Sequence, residues 1–175
     1  MRIEVEELKG PGRTFSHTYR EGELQLEDER AEVTSATEVS GRATRTGEEV
    51  RLQGSISTNL DIACDRCLKP ASFPLQAPFD VAYVSDAAAL EKSEATELLD
   101  EELALSVYEG DSVDLDELAR EQILLALPVR TLCREDCKGL CPNCGADLNA
   151  GPCACPPKAV DPRWGALAAL KNQGG

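Results

Sequence analysis

Residues 32–64, EVTSATEVSGRATRTGEEVRLQGSISTNLDIAC, decide the fold. Val, Thr, Ser and Ile recur here in partial alternation, the composition of a pleated, half-buried surface rather than of a helix. TGEE in the middle is a turn, with Gly47 supplying the tight bend. The segment predicts two strands, 32–44 and 49–64, joined as a hairpin. A third strand is predicted over ASFPLQAPFDVAYV (71–84). Its prolines, Pro74 and Pro78, lack the N–H that a ladder needs, so they place it at an edge or confine pairing to its second half. Residues 1–30 are expected to add one or two strands around GELQLE (22–27).

Farther along, SVDLDELAREQILLALP (112–128) switches to helical spacing. Asp114 and Glu117 stand at the separation of a capping box. Leu115, Leu118, Ala119, Gln122, Ile123, Leu125 and Ala126 form a broad stripe that predicts a helix covering one sheet face, and Pro128 stops it. In DPRWGALAAL (161–170), Asp161 as N-cap and Pro162 at the first helical position predict a short closing helix, with Trp164 as its packing anchor. The fold class read from these patterns is α+β: an antiparallel β-sheet, a packed helix and a small C-terminal zinc-binding tail. The predicted division is residues 1–130, a strand-rich domain with an acidic insert around 85–102, and residues 131–175, a cysteine-rich tail.

Charge narrows the choice of partner. Acidic side chains outnumber basic ones 32 to 18, for a net charge of −14. Twelve of the acids fall within 86–117, against the single base Lys92. Such a field repels a phosphate backbone and attracts basic molecules. The first twenty residues show no apolar core of a signal peptide, and the apolar run ILLALPV (123–129) is far too short to span a bilayer. The expectation is a cytoplasmic protein that contacts no membrane.

Eight cysteines in such a compartment read as metal ligands sooner than as disulfides. They stand at Cys64, Cys67, Cys133, Cys137, Cys141, Cys144, Cys153 and Cys155. The pairs CDRC and CPNC leave two residues between thiols, which lets both sulfurs reach one ion while backbone amides turn toward them. Sequence order favours two zinc sites. Cys141, Cys144, Cys153 and Cys155 make a self-contained tail site, and Cys64 and Cys67 join Cys133 and Cys137. The competing assignment pairs Cys64 and Cys67 with Cys141 and Cys144 around one zinc. An iron–sulfur cluster satisfies the same thiols, and the proline-bearing CPNCG knuckle inclines the reading to zinc. A thioredoxin-type couple falls, because Pro70, Pro74 and Pro78 forbid a helix after CDRC. With four sulfurs per site and no nearby histidine, the sites read as structural.

No phosphate loop, dinucleotide fingerprint or zinc-protease motif occurs, and the lone His17 supplies no triad. The residues predict a binding protein rather than an enzyme. Two alternatives remain: an RNA-binding protein that uses the tail, with Arg163 and Trp164 to grip and stack, or a thiol-based regulator that releases zinc on oxidation.

CDRC after a strand, DLDELAREQILLALP, LCREDCKGLCPNCGADLN and DPRWGALAAL together resemble the YceD family, named for its effect on accumulation of large-subunit ribosomal RNA. The resemblance runs closely from about residue 60 to the end, and DCKGLCPNCG is its specific part. It implies a non-enzymatic factor in synthesis or assembly of the large ribosomal subunit. The implied partners are a basic ribosomal protein or a pre-ribosomal particle, with ribosomal RNA as the alternative. Carried over by position, the family's cysteine motifs fall on Cys64 and Cys67, then on Cys133, Cys137, Cys141 and Cys144. Asp147 stands where the family motif usually has Asn.

Overall fold

The computed structural model describes residues 1–93 and 105–156. Its elements run β1 (Arg2–Glu4), a turn of 3-10 helix (Val5–Glu7), β2 (Arg13–Tyr19), β3 (Ala31–Val33), β4 (Thr37–Thr46) and β5 (Glu49–Ala63). There follow β6 (Pro70–Ser85), α1 (Asp86–Ser93), β7 (Leu105–Tyr108), β8 (Ser112–Asp114) and α2 (Leu115–Leu125).

The central hairpin forms as read. β4 and β5 pair antiparallel from Thr46↔Glu49 to Glu38↔Ser57, around a two-residue loop in which Gly47 takes φ 64°. Along β5 the alternation is clean: Val50, Leu52, Ile56, Leu60 and Ile62 are buried, while Arg51, Gln53 and Asn59 face solvent. The first predicted strand is in fact two. β3 pairs with Leu60–Ile62 and β4 with the rest of β5, so the chain breaks near Ser35. There the Ser35 hydroxyl accepts the Asn59 N–H at 2.9 Å, replacing a ladder bond with a side-chain one.

Of the two readings of the β6 prolines, the edge position holds for residues 70–81 and the confinement of pairing to the second half does not. β6 pairs with β5 from Ala63↔Pro70 to Val50↔Tyr83. Pro70, Pro74 and Pro78 are spaced four apart, and a strand repeats every second residue. All three therefore turn their N–H-less side the same way, away from β5, and no ladder bond is lost. That side is an open edge until Ala82, where β7 joins.

β7 makes the sheet mixed, against the antiparallel expectation. It runs parallel to Ala82–Ser85. Parallel neighbours need a crossover of about a dozen residues or more; residues 86–104 supply it, beginning with α1. The strand order is β2-β4-β5-β6-β7, with β3 beside β5 off that path. The strand expected around GELQLE does not form. Residues 21–23 turn instead, and Leu24 is buried in the core from an irregular segment.

β1 and β8 pair as a separate two-stranded sheet that leads directly into α2. Asp114 caps α2 by accepting the Asp116 N–H at 2.8 Å. The reciprocal bond from Glu117 is absent among the described residues; Asp114 closes β8 opposite Arg2. Leu115, Leu118, Ala119 and Ile123 are fully buried against the inner sheet face with Val39, Leu52, Ile56 and Leu60. The predicted stripe is narrower than read: Gln122 is half-buried, and Leu125 and Ala126 are exposed. Strand predominates, and α2 is the helix that packs into this core. The predicted C-terminal helix with Trp164, and residues 94–102 of the acidic insert, lie outside the described residues.

Candidate metal centre

The end of β5 delivers the first pair of thiols. Beyond Ala63 the chain makes a tight turn in which Cys64 N–H donates to the Lys69 carbonyl at 2.9 Å and Leu68 N–H to the Cys64 carbonyl at 2.8 Å. The CPNC turn repeats this pattern. Cys141 N–H donates to the Ala146 carbonyl at 2.8 Å and Gly145 N–H to the Cys141 carbonyl at 2.9 Å. The two turns are thus the same knuckle, sealed by the same pair of backbone bonds. Each needs a left-handed residue just past its second cysteine. Gly145 supplies it at φ 72°, and Leu68 adopts it at φ 60° despite its Cβ.

After α2 the chain returns to the first knuckle. Asp65 N–H donates to the Thr131 carbonyl at 2.9 Å, and the Asp65 carboxylate accepts the Thr131 N–H at 2.8 Å. This two-way clasp sets Cys133 and Cys137 beside Cys64 and Cys67. The Arg66 guanidinium donates to the Cys137 carbonyl at 2.6 Å, and the Leu140 N–H to the Arg66 carbonyl at 3.0 Å. From Leu140 the chain passes straight into the second knuckle.

The sulfurs fall into two quartets, Cys64, Cys67, Cys133 and Cys137 in one and Cys141, Cys144, Cys153 and Cys155 in the other. Within each, all four lie within 4.8 Å of one another. Cys64 and Cys137 are 3.8 Å apart, Cys67 and Cys133 3.6 Å, and Cys141 and Cys153 3.3 Å. A tetrahedron with sulfur about 2.3 Å from a central zinc has edges of about 3.8 Å. All eight cysteines are free thiols. Each quartet could hold a metal ion, and four thiolates at this spacing are compatible with zinc.

The electrostatics of each quartet are divided. Cys64 is drawn down to about 6, first by the Cys133 backbone amide and then by those of Cys67 and Arg66, against the opposing effect of burial. Cys133 is pushed up to about 12, first by the Cys67 sulfur, then by burial and by Cys137 and Cys64. In the tail quartet Cys141 is drawn down to about 6 by the Asn143 and Cys144 amides, and Cys155 is pushed up to about 12, first by Cys144. One thiol is readied as a thiolate and another resists, because four negative sulfurs repel. A divalent cation removes that repulsion.

Burial separates the sites. Cys64, Cys67 and Cys137 are buried, with Leu132 and Leu140 packed around them, and Cys133 alone is exposed. It opens on a cleft of about 300 Å³ lined by Lys69, Arg134, Asp147 and Asn149. The tail quartet buries only Cys141.

Sequence reasoning missed the side chains that join the two quartets. Asn149 accepts the Lys138 N–H at 2.8 Å and the Arg134 guanidinium at 2.8 Å through Oδ1. Its Nδ2 donates to the Cys137 Sγ at 3.6 Å and to the Asp147 carboxylate at 2.8 Å. Asp147 also pairs with Lys69 at 2.7 Å, and Lys69 first, then Asn149, hold its carboxyl down to about 2. A loop of the tail site therefore reaches a sulfur of the first. The one sequence signal was Asp147 itself, at a position where the resembling motif usually carries Asn.

A strand-built chain whose knuckled cysteines form two adjoining four-sulfur clusters, each able to hold a metal ion, falls in the class of candidate metal-binding proteins. The chain belongs to the family described as large ribosomal RNA subunit accumulation protein YceD, whose profile matches residues 52–171. That match begins inside β5 and takes in all eight cysteines. An uncharacterized protein of Mycobacterium tuberculosis is 30% identical over 126 residues, covering 72% of this chain and 58% of that protein. The chloroplastic large ribosomal RNA subunit accumulation protein YCED homolog 1 of Zea mays is 28% identical over 145 residues, 70% of this chain and 49% of its own length. An uncharacterized protein of Bacillus subtilis is 26% identical over 160 residues, 91% of this chain and 88% of its own. The chain thus spans 58% of the mycobacterial relative and about half of the plant one. No solved structure matches. Among the described residues, no helix is long and apolar enough to cross a membrane.

Proposed function

We propose that the chain is a non-enzymatic, cytoplasmic factor in large-subunit ribosomal RNA accumulation, acting as a zinc-stabilised acidic protein that engages a basic partner. Family membership supports the ribosomal setting. The observation that carries the finer reading is the excess of 32 acidic over 18 basic side chains. In this reading residues 1–130 form the binding body and residues 131–175 a tail held by metal. Two zinc ions, one per quartet, fasten the tail to the end of β5 through Cys64 and Cys67. Each four-thiolate site carries a formal charge of −2 with zinc bound, so metal deepens the acidity instead of building a grip for RNA.

The partner that fits this charge is a ribosomal protein or pre-ribosomal particle presenting basic surface. The test is capture of tagged, zinc-loaded protein at low salt, with and without ribonuclease, followed by salt titration against purified large-subunit proteins. Retention after ribonuclease and affinity that falls as salt rises are the expected results. Loss of all partners with the RNA contradicts the reading and moves the contact to ribosomal RNA. Arg66, Lys69, Arg134 and Lys138, which stand around the cysteines, would then be the first cations to replace.

A further inference from the structure

Residues 145–152 belong to the tail quartet by position, since they run from Cys144 to Cys153, and to the first quartet by contact. Asn149 donates from Nδ2 to the Cys137 sulfur at 3.6 Å. Asp147 pairs at 2.7 Å with Lys69, the residue whose carbonyl seals the first knuckle. Asp147, Asn149 and Ala150 also wall the cleft onto which Cys133, the exposed thiol of the first quartet, opens. Beside them the Leu148 N–H donates to the Gly139 carbonyl at 2.9 Å. Gly139 lies directly on the first knuckle: a Cβ there would stand 2.8 Å from the Arg66 carbonyl oxygen.

Burial does not hold this loop in place, for none of residues 145–152 is buried. Its shape comes from short-range bonds. The Asp147 carboxylate accepts the Asn149 N–H at 2.9 Å, and the Ala150 N–H donates to the Asp147 carbonyl at 3.1 Å. Its ends come from the tail quartet. An ion that joins Cys141 and Cys144 to Cys153 and Cys155 closes the loop at both sides and removes its freedom before it meets the first quartet. The donor to Cys137 is then already in position, and the first ion binds without the cost of ordering it.

We propose that the two quartets are thermodynamically linked, so that zinc in the tail quartet strengthens zinc binding at the first through the loop that presents Asn149. The inference rests on the two-zinc reading and adds an interaction between the ions. Repulsion works against it, since each four-thiolate site carries a formal charge of −2 with zinc bound. Arg66, Lys69 and Arg134 oppose that repulsion at the junction, where each is bonded to a neighbour of the sulfurs. Linkage is reciprocal, so a loaded first quartet strengthens the tail site by the same factor.

The test is zinc affinity on full-length chains, by chelator competition read by native mass spectrometry. Cys144→Ser with Cys155→Ser leaves the first quartet alone, and Cys67→Ser with Cys133→Ser leaves the tail quartet alone. The overall constant for two ions on the intact chain should exceed the product of the two single-site constants by about tenfold or more. Asn149→Ala should weaken the first quartet by about tenfold when the tail quartet is loaded, and by less than about twofold in the Cys144→Ser, Cys155→Ser chain. A merely local structural role would cost the same in both. Asp147→Ala, which releases Asn149 and Lys69 together, should reduce the coupling in the same direction. Two ions whose overall constant equals the product, or falls below it, refute the linkage and leave the two-zinc reading standing. Equal losses from Asn149→Ala in both chains refute it as well. A single ion on the intact chain refutes linkage and reading together.

Discussion

Asn149 shows how much one side chain decides here. Its Oδ1 is committed to Lys138 and Arg134, which fixes the amide so that Nδ2 faces Cys137 and Asp147. Donors of this kind orient a thiolate and share its charge, and losing one typically lowers metal affinity about 10–100-fold. Asn149→Ala should therefore retain the full metal count but lose zinc from the first quartet to a chelator at a concentration lower by about that factor. Chelator titration monitored by native mass spectrometry measures it, and an unchanged titration removes Asn149 from the site. Leu68 makes the complementary point. The cysteines were legible because thiols are rare and their spacing is characteristic. A leucine that folds into the left-handed region, as Gly145 does in the other knuckle, carries no such mark. The backbone bonds from Cys64 and Leu68 hold it there.

Between elements, the legible part was the two-residue period. Alternation in residues 49–62 named the buried face of β5, and helical spacing from Leu115 to Ile123 named the helix face packed on it. Illegible were the partners that depend on chain direction. Prolines in β6 left an edge position and a half-paired strand both open, and their four-residue spacing, which lets all of them face one open side, decides for the edge. β7 was not read at all, for four residues after an acidic stretch give too short a pattern to reveal a parallel neighbour. Gly41 and Gly54 pair directly across β4 and β5. A Cβ at Gly54 would stand 2.1 Å from the Ser40 carbonyl oxygen and 2.8 Å from the Phe79 ring. Backbone on one side and a core aromatic on the other leave no cheap relief. Gly54→Ala should destabilise the fold by about 1–3 kcal/mol in denaturant unfolding, as overpacking does. A neutral result would mean that the two strands can part at this point.

For the molecule as a whole, metal and sheet answer different needs. The sheet and α2 bury an aliphatic core that includes Leu52, Ile56, Leu60, Leu118 and Ile123 without help from cysteine. Residues 131–156 contribute Cys137, Cys141 and Thr131 as their buried side chains, too few to hold a fold by burial. In the proposed reading, thiolate–metal bonds supply what that segment lacks. Because Cys64 and Cys67 extend directly from β5, the first quartet is also the joint between the two parts. The division of the thiols into two metal sites is tested most directly by counting zinc on the intact chain and on Cys67→Ser by native mass spectrometry. Two ions on the first and one on the second, retained by the tail quartet, are the predicted result. A single ion on the intact chain, or none on Cys67→Ser, would contradict it and join CDRC to CPNC around one metal.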